Sequence, residues 1–160
     1  MAIEGVKIKK LKVHKDIPDT KNPDEKPGHL MEVLREDEGM ISKFGQTTFT
    51  VAHPGTIKAF HWHKKQDDLF FFAGGKANIV LHDIREDSPT KGETQVIPAD
   101  EGDPQLVFIP RGVAHGYKAL GDKPVLLFYP TTESYNPAAP DEERIPHDDP
   151  KINFNWANYN

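Results

Sequence analysis

Short segments in which hydrophobic and polar residues alternate cover most of this chain. Successive side chains of a β-strand point to opposite faces, so an alternating pattern predicts a strand with one buried face. Fourteen prolines and twelve glycines separate the segments, which is typical of turns between strands. The pattern predicts ten strands, at residues 6–13, 30–34, 47–51, 57–63, 68–72, 77–84, 94–97, 105–109, 116–120 and 125–129.

Helical periodicity does not persist over a useful length, and the best candidate is a weak window at residues 31–40. Many short strands separated by turns favour an all-β barrel or sandwich. A chain of 160 residues suits one domain, which we assign to residues 1–160. The segment 136–150 is rich in proline and acidic residues, and it is either an ordered loop that crosses the barrel or a solvated segment.

Composition excludes several classes of protein. The chain is 36% hydrophobic and 28% charged, which fits neither a membrane protein nor a disordered one. It contains no cysteine, so disulfides and thiolate chemistry are excluded. The net charge of −5 comes from interspersed signs and leaves no basic footprint for nucleic acid. The first twenty residues lack the continuous apolar block of a signal peptide, so we expect a cytoplasmic protein.

Candidate metal ligands occur at a regular spacing in the middle of the chain. His61 and His63 lie two residues apart in a predicted strand, so both imidazoles face the same side. A short turn at residues 64–67 would return the next strand antiparallel and place Asp68 opposite the histidines. A later strand would contribute His115. Three imidazoles and one carboxylate form a site of intermediate hardness, which suits one divalent ion of iron, manganese, nickel or zinc.

The spacing of these residues resembles the two cupin motifs. Gly55, His61, His63, Asp68 and Gly75 stand at the intervals of Gly-x5-His-x-His-x4-Glu-x6-Gly, with aspartate in place of glutamate. The segment 110–115 follows the second motif, Pro-x-Gly-x2-His. The resemblance implies a double-stranded β-helix, the cupin jelly roll, with a cavity at its centre.

A narrower resemblance covers residues 24–157. Motifs occur in the order found in the dTDP-4-dehydrorhamnose 3,5-epimerase family, and the most specific are Ser-Pro-Thr-x-Gly at 88–92 and Pro-x-Gly-x-Ala-His-Gly at 110–116. Further matching segments are 24–32, Gln46 with its interval of fifteen residues before His61, 83–85, 129–137 and 149–156. That family acts on a 4-keto sugar carried by a nucleotide diphosphate.

The resemblance implies roles for individual residues. His61 is then the base that removes the protons at carbons 3 and 5, and Tyr129 returns a proton on the opposite face of the ring. Such a pair suits the chemistry, because inversion next to a carbonyl needs acid and base on opposite faces. From residue preferences alone, Tyr129 is instead a core aromatic of a strand. The candidate substrate-binding residues are Glu32, Gln46, Lys58, Arg111, His115 and Tyr135, with Lys58, Lys91 and Arg111 as diphosphate contacts.

Several positions depart from the family pattern. Lys58 replaces an arginine that holds the diphosphate, Asp68 aligns with a lysine that polarises the sugar carbonyl, and His63 replaces a glutamine. The family's C-terminal aspartate, which orients the catalytic histidine, has no visible counterpart. The changes at 63 and 68 together create a metal-ligand set, and a bound cation would replace the lost lysine. A histidine that ligates metal cannot serve as the base, so His61 has one role or the other.

These observations leave three functional hypotheses. The leading hypothesis is an isomerase that acts on a 4-keto-6-deoxy nucleotide sugar. The alternatives are a metal-dependent cupin, either a dioxygenase or a sugar isomerase, and a non-catalytic sugar-binding cupin. The family resemblance also implies a homodimer in which the N-terminal strand, within residues 1–20, is exchanged between subunits.

Overall fold

Almost all regular structure in the part of the chain that the structure describes is β. The computed structural model describes residues 2–17, 21–22, 24 and 26–159. The strands are β1 (Lys7–Lys10), β2 (Val13–Lys15), β3 (His29–Met31), β4 (Gln46–Ala52), β5 (Ile57–Trp62), β6 (Asp68–Gly74), β7 (Lys76–Asp83), β8 (Thr94–Asp100), β9 (Gln105–Ile109), β10 (Val113–Leu120), β11 (Val125–Thr131) and β12 (Glu143–Arg144). Two short 3-10 helices span Glu36–Glu38 and Trp156–Asn158. Within the described residues, neither the length nor the apolar character of any helix would allow it to cross a membrane.

Two five-stranded antiparallel sheets form the body of the molecule. The first sheet has the order β1-β9-β6-β11-β4 and the second has the order β12-β5-β10-β7-β8, while β2 and β3 form a separate pair. From β4 to β12 the chain passes from one sheet to the other at every step except that from β7 to β8. This alternation between sheets is the topology of a jelly roll, so the predicted all-β cupin fold is confirmed.

The predicted strands agree with the observed ones in type and differ at their ends. Each predicted strand overlaps an observed strand, but the segment 6–13 is divided between β1 and the start of β2. Strand β10 begins at Val113, three residues earlier than predicted, so His115 lies inside it. In the weak helical window at 31–40 the helical structure is the 3-10 turn at Glu36–Glu38, and Met31 is the last residue of β3.

The predicted hairpin between β5 and β6 is wrong. The two strands belong to different sheets, so residues 64–67 cross between the sheets. The backbone N–H groups of this crossing find distant partners: the Asp141 carboxylate accepts three of them, and Thr132 Oγ1 accepts the fourth from Asp67. These long-range hydrogen bonds stabilise a crossing that the short spacing does not reveal.

The main core fills the space between the two sheets. It contains Phe70 and Phe72 from β6, Ile79 and Leu81 from β7, and Tyr117 from β10, with Phe72 and Tyr117 in an edge contact at 5.4 Å. A second cluster, of Phe60, Val80, Ala114, Ile152 and Trp156, is formed where the C-terminal segment packs against the second sheet. This two-layer packing leaves a cavity between the sheets.

The segment 136–150 is ordered and crosses the fold, which decides between the two alternatives that its composition allowed. Glu143 and Arg144 form β12 and pair with Trp62 and His61 of β5. Ile145 continues the contact by exchanging both backbone hydrogen bonds with Phe60, at 2.8 and 3.0 Å. The acidic tail therefore becomes the edge strand next to the candidate site.

Candidate active site

A cavity of about 600 Å³ opens between the two sheets. Its walls come from β4, β6 and β11 of the first sheet, from β5 and β10 of the second, and from residues 133–144. Eight of the candidate residues line it: Gln46, Lys58, His61, His63, Asp68, His115, Tyr129 and Tyr135. The size suits a ligand of small-molecule dimensions.

Strand geometry explains why the histidines meet here. His61 and His63 project from the same side of the chain at the end of β5, and His115 of β10 lies directly opposite His61 across the sheet. Asp68 begins β6 in the facing sheet. The four side chains that the spacing predicts to share a cavity therefore all line it.

Only three of these four residues form a compact cluster. The side chains of His63, Asp68 and His115 are buried, and one candidate ligand atom from each lies within 4.8 Å of the others. Asp68 Oδ2 is 3.1 Å from His115 Nε2 and 3.4 Å from His63 Nε2. His61 lies outside this group. The conflict between a ligand role and a base role for His61 therefore disappears in the structure.

Backbone carbonyls determine which ring nitrogen of each clustered histidine carries a proton. His63 Nδ1 contacts the carbonyl of Asp141, and His115 Nδ1 lies 3.0 Å from the carbonyl of Val113. A carbonyl only accepts hydrogen bonds, so each Nδ1 carries the proton. In a neutral imidazole, Nε2 then directs a lone pair at the Asp68 carboxylate, which is repulsive. The cluster consequently needs a positive charge, from protonated imidazole or from a bound cation.

The electrostatics of Asp68 agree with that need. Burial raises its pKa, but the hydrogen bonds with His115 and His63 outweigh burial and hold the pKa well below its usual range. For His63, burial lowers the pKa and the Asp68 carboxylate more than compensates, so the pKa is raised. Gln66 Nε2 also donates to the other oxygen, Asp68 Oδ1, at 2.7 Å. Asp68 is therefore ionised and strongly held.

His61 has a different environment. Its Nδ1 lies 3.1 Å from Glu142 Oε1, and that same oxygen accepts a hydrogen bond from Arg144 Nε at 2.9 Å. Burial lowers the pKa of His61, and the Glu142 carboxylate only partly offsets this. A neutral imidazole with Nδ1–H on Glu142 keeps Nε2 free to accept a proton. Sequence reasoning did not identify Glu142, because 81 positions separate it from His61 and spacing carries no signal over that distance.

Tyr129 occupies the opposite wall. It belongs to β11 in the first sheet, whereas His61 belongs to β5 in the second. Burial raises the pKa of Tyr129 against an opposing hydrogen bond with Thr48, so the phenol is protonated at neutral pH. Its ring packs at an edge on Phe70, with centroids 6.0 Å apart. Tyr129 thus packs on the core and also faces the cavity.

Two other candidate residues hold defined positions in the wall. Lys58 Nζ donates to Thr50 Oγ1 at 2.7 Å and to the carbonyl of Val51 at 3.2 Å. Gln46 Oε1 accepts the backbone N–H of Tyr135 at 2.8 Å, which fixes the loop that follows β11. Lys58 therefore places a positive charge in the cavity, and Gln46 shapes its rim.

Three predicted substrate contacts do not line the cavity. Arg111 forms a bidentate pair with Asp67, at 3.0 and 2.8 Å, and this pair holds the crossing between the sheets. Glu32 lies on the surface, 2.9 Å from Arg35. Lys91 pairs with Glu86 in an exposed loop. Each charge already has an intramolecular partner away from the cavity.

A jelly roll whose central cavity carries histidines on one wall and a tyrosine on the other defines a cupin-type protein. The family model described as dTDP-4-dehydrorhamnose 3,5-epimerase matches residues 1–160. The chain therefore belongs to the dTDP-4-dehydrorhamnose 3,5-epimerase family, a family of epimerases.

Individual relatives agree with this assignment. The chain is 52% identical over 154 residues to the spore coat polysaccharide biosynthesis protein SpsL of Bacillus subtilis, covering 96% of each chain. It is 36% identical over 156 residues to the probable low-salt glycan biosynthesis epimerase Agl13 of Haloferax volcanii, covering 96% of this chain and 94% of the relative. A dTDP sugar isomerase from Desulfovibrio desulfuricans superposes with a TM-score of 0.85 at 30% identity, over 99% of this chain and 94% of that structure.

Proposed function

We propose that this protein epimerises a 4-keto-6-deoxy sugar carried by dTDP. His61 removes the proton next to the carbonyl, and Tyr129 returns a proton on the other face of the sugar ring. The observation that carries the proposal is that His61 and Tyr129 stand on opposite walls of one cavity. Family membership and the epimerase among the relatives support it over the dioxygenase and non-catalytic alternatives.

The environment of each residue suits its proposed role. A neutral His61 accepts a proton at Nε2, because burial lowers its pKa and Glu142 occupies Nδ1. A protonated Tyr129 has a proton to give, because burial raises its pKa. Removal of a proton next to a carbonyl also needs stabilisation of the enolate oxygen, and Lys58 is the lysine of the cavity wall that offers a positive charge.

Turnover of a dTDP-4-keto-6-deoxy sugar, followed by NMR of the sugar ring, tests this function. We expect the wild-type protein to form an epimer at carbon 3, carbon 5 or both. His61→Ala is expected to lower the rate by about 10²–10⁴, the usual contribution of a general base. His53→Ala is the matched control, because His53 lies in an exposed turn outside the cavity. Failure of the wild type on several nucleotide sugars would contradict the proposal, as would full activity of His61→Ala.

We also propose that His63, Asp68 and His115 hold one divalent metal ion. The fit rests on three features of the cluster: two Nε2 atoms and a carboxylate oxygen converge, both Nδ1 atoms face carbonyls, and all three side chains are buried. Histidines that ligate metals typically donate the other ring N–H to a carbonyl or carboxylate. A bound metal ion would act as a Lewis acid that polarises the carbonyl oxygen, the task of the lysine missing at position 68.

Elemental analysis tests the metal proposal independently of activity. We expect close to one iron, manganese, nickel or zinc ion per chain in protein purified without a metal-affinity step. His63→Gln should lose the ion while the barrel stays folded, because the sheets do not depend on the cluster. His82→Gln serves as a control, since His82 Nδ1 contacts Thr94 outside the cavity. Protein without metal after growth with all four ions would contradict the metal proposal.

We further propose a homodimer formed through the exposed face of the first sheet. Phe49 and Val51 of β4 and Leu126 and Phe128 of β11 are exposed on neighbouring strands, and the rings of Phe49 and Phe128 are in tilted contact, with centroids 4.7 Å apart. A contiguous apolar face of this kind suits a second copy of the same surface. In the single chain, β1 pairs with β9, so exchange of the N-terminal strand remains a prediction. Phe128→Ser should convert the dimer to monomer in sedimentation, whereas a wild-type monomer would contradict it.

The cytoplasmic location also remains a prediction, supported by the lack of cysteine in the sequence. Fractionation of cells that express the protein is the measurement, and recovery from the cytoplasmic fraction is the expected result.

A further inference from the structure

An arm of the chain, residues 136–145, runs along the edge of β5, and one of its side chains binds three backbone N–H groups of the crossing that follows β5. The Asp141 carboxylate accepts hydrogen bonds from the N–H groups of Lys64, Lys65 and Gln66, at 3.1, 2.8 and 3.0 Å. Immediately after it, β12 pairs with β5, and Arg144 lies opposite His61. Residue 142 is therefore held between two fixed points.

Two consecutive residues of the arm contact His61 of β5 and His63, which follows the end of β5. The backbone carbonyl of Asp141 accepts from His63, and the side chain of Glu142 accepts from His61. The partner of His63 is neutral, whereas the partner of His61 carries a negative charge. The charged partner, Glu142, therefore contacts His61, which lies outside the cluster of His63, Asp68 and His115.

The position of Glu142 is set by a second charged residue of the arm. Arg144 pairs with His61 across β12 and β5, and Glu142 Oε1 lies 3.1 Å from His61 Nδ1. Arg144 donates to Glu142 Oε1 from Nε, and its terminal nitrogen Nη2 lies 2.9 Å from the same oxygen. The carboxylate is therefore oriented as well as charged. An oriented carboxylate on Nδ1 leaves Nε2 as the free ring nitrogen.

We propose that Glu142 is the positioning residue of the His61 base. It selects the tautomer with the proton on Nδ1, aims Nε2 into the cavity, and stabilises the imidazolium that forms when the substrate proton is taken. The inference rests on the proposed epimerase function. Glu142 would then take the place of the family's C-terminal aspartate, which orients the catalytic histidine and has no visible counterpart in this sequence. A carboxylate on the distal ring nitrogen plays the same part in other histidine bases.

Steady-state kinetics of a matched set of variants is the first test. Glu142→Gln keeps the size of the side chain and removes its charge, and we expect kcat to fall about 10–100-fold while KM changes less than about threefold. Glu142→Asp should recover part of the loss, because the charge is restored at a greater distance. Glu143→Gln is the control, since the neighbouring Glu143 pairs with Lys64 outside the cavity, at 2.8 Å. Equal kcat for Glu142→Gln and Glu143→Gln would overturn the proposal.

Nitrogen-15 NMR of His61 is the second test, and it requires no turnover. The wild type should show His61 protonated at Nδ1, and Glu142→Gln should show a mixture of tautomers, because an amide can donate as well as accept. A wild-type His61 protonated at Nε2 would overturn the positioning role even if the enzyme is active. If instead the wild type lacks turnover but shows the predicted tautomer, the epimerase function fails and the Glu142–His61 pair stands.

Discussion

Gly116 offers a sharp test of how the fold positions the base. It lies on β10 between His115 and Tyr117, where the pairing with β5 changes register. A Cβ atom at this position would lie 2.3 Å from the Cβ of Ala59 and 2.5 Å from the carbonyl oxygen of Lys58. Neither atom can rotate away, because one is backbone and the other is fixed to it. Gly116→Ala must therefore push β5 and β10 apart.

The distances give the size of the effect. Carbon atoms pack best at about 3.5–4.0 Å, and the contact would be 2.3 Å, so the strands must separate locally by roughly 1.2–1.7 Å. Overpacking of this kind costs about 1–3 kcal/mol. For a domain of this size each kcal/mol lowers Tm by about 2–4 °C, so we expect a fall of roughly 2–12 °C. His61 and His115 are paired beside this point, and a misplacement of about 1 Å can cost roughly 10²-fold in rate.

Thermal unfolding and turnover of the same preparations are the assays, and Gly121→Ala is the control. Gly121 has a φ of +70° and no neighbouring atom within 4 Å of an added Cβ, so its replacement introduces backbone strain without a clash. The control should lose about 1–2 kcal/mol of stability and keep its turnover when folded. Unchanged turnover of folded Gly116→Ala would refute the idea that the contact between β5 and β10 positions the base.

Three further predictions concern stability at low pH, the proposed catalytic acid Tyr129 and the packing of the core. Burial raises the pKa of Asp83, but hydrogen bonds from Arg85 and Ser88 outweigh it and hold the pKa well below its usual range. As the pH falls, Asp83 is therefore protonated in the unfolded state before it is protonated in the folded state. The stabilisation that ionised Asp83 gives the folded state is complete above about pH 4 and is lost as the pH falls towards the folded-state pKa. Asp83→Asn should lower the free energy of unfolding by about 2–4 kcal/mol at pH 7 and by less at pH 3 in urea titrations, and equal losses at both would contradict it. Tyr129→Phe should slow epimer formation by about 10²–10⁴ while some deuterium exchange persists, and loss of both in parallel would remove Tyr129 from the second step. Phe60→Ala should cost about 3–5 kcal/mol in urea, because the side chain is fully buried against other apolar groups, and a loss below about 1 kcal/mol would refute that packing.

The sequence predicted most of the fold because strand formation is local. Alternation and turn residues located the strands, and the spacing of His61, His63, Asp68 and His115 placed all four in one cavity. The sheet to which each strand belongs is not local information. The interval between His63 and Asp68 fits a hairpin as well as a crossing, and only the partners of residues 64–67 decide between them.

The other differences between the expected and the observed arrangement of the site share the same cause. Arg111 looked available for a diphosphate, but its partner Asp67 lies 44 positions away in the chain. The sequence left His61 as either a base or a metal ligand, because alternation assigns a face of a strand but not the distances that hold the other three together. Glu142 was missed because a polar, proline-rich segment without periodicity carries no strand signal, although it pairs with β5.

Solvent exchange at the sugar ring tests the central claim most directly, namely that His61 enolises a 4-keto sugar. In deuterium oxide, the wild type should replace the hydrogen at carbon 3 or carbon 5 of a dTDP-4-keto-6-deoxy sugar with deuterium, seen as loss of the proton signal in NMR. His61→Ala should lose this exchange, because no other step can begin without proton removal. No incorporation by metal-loaded wild-type protein across several nucleotide sugars would contradict the account.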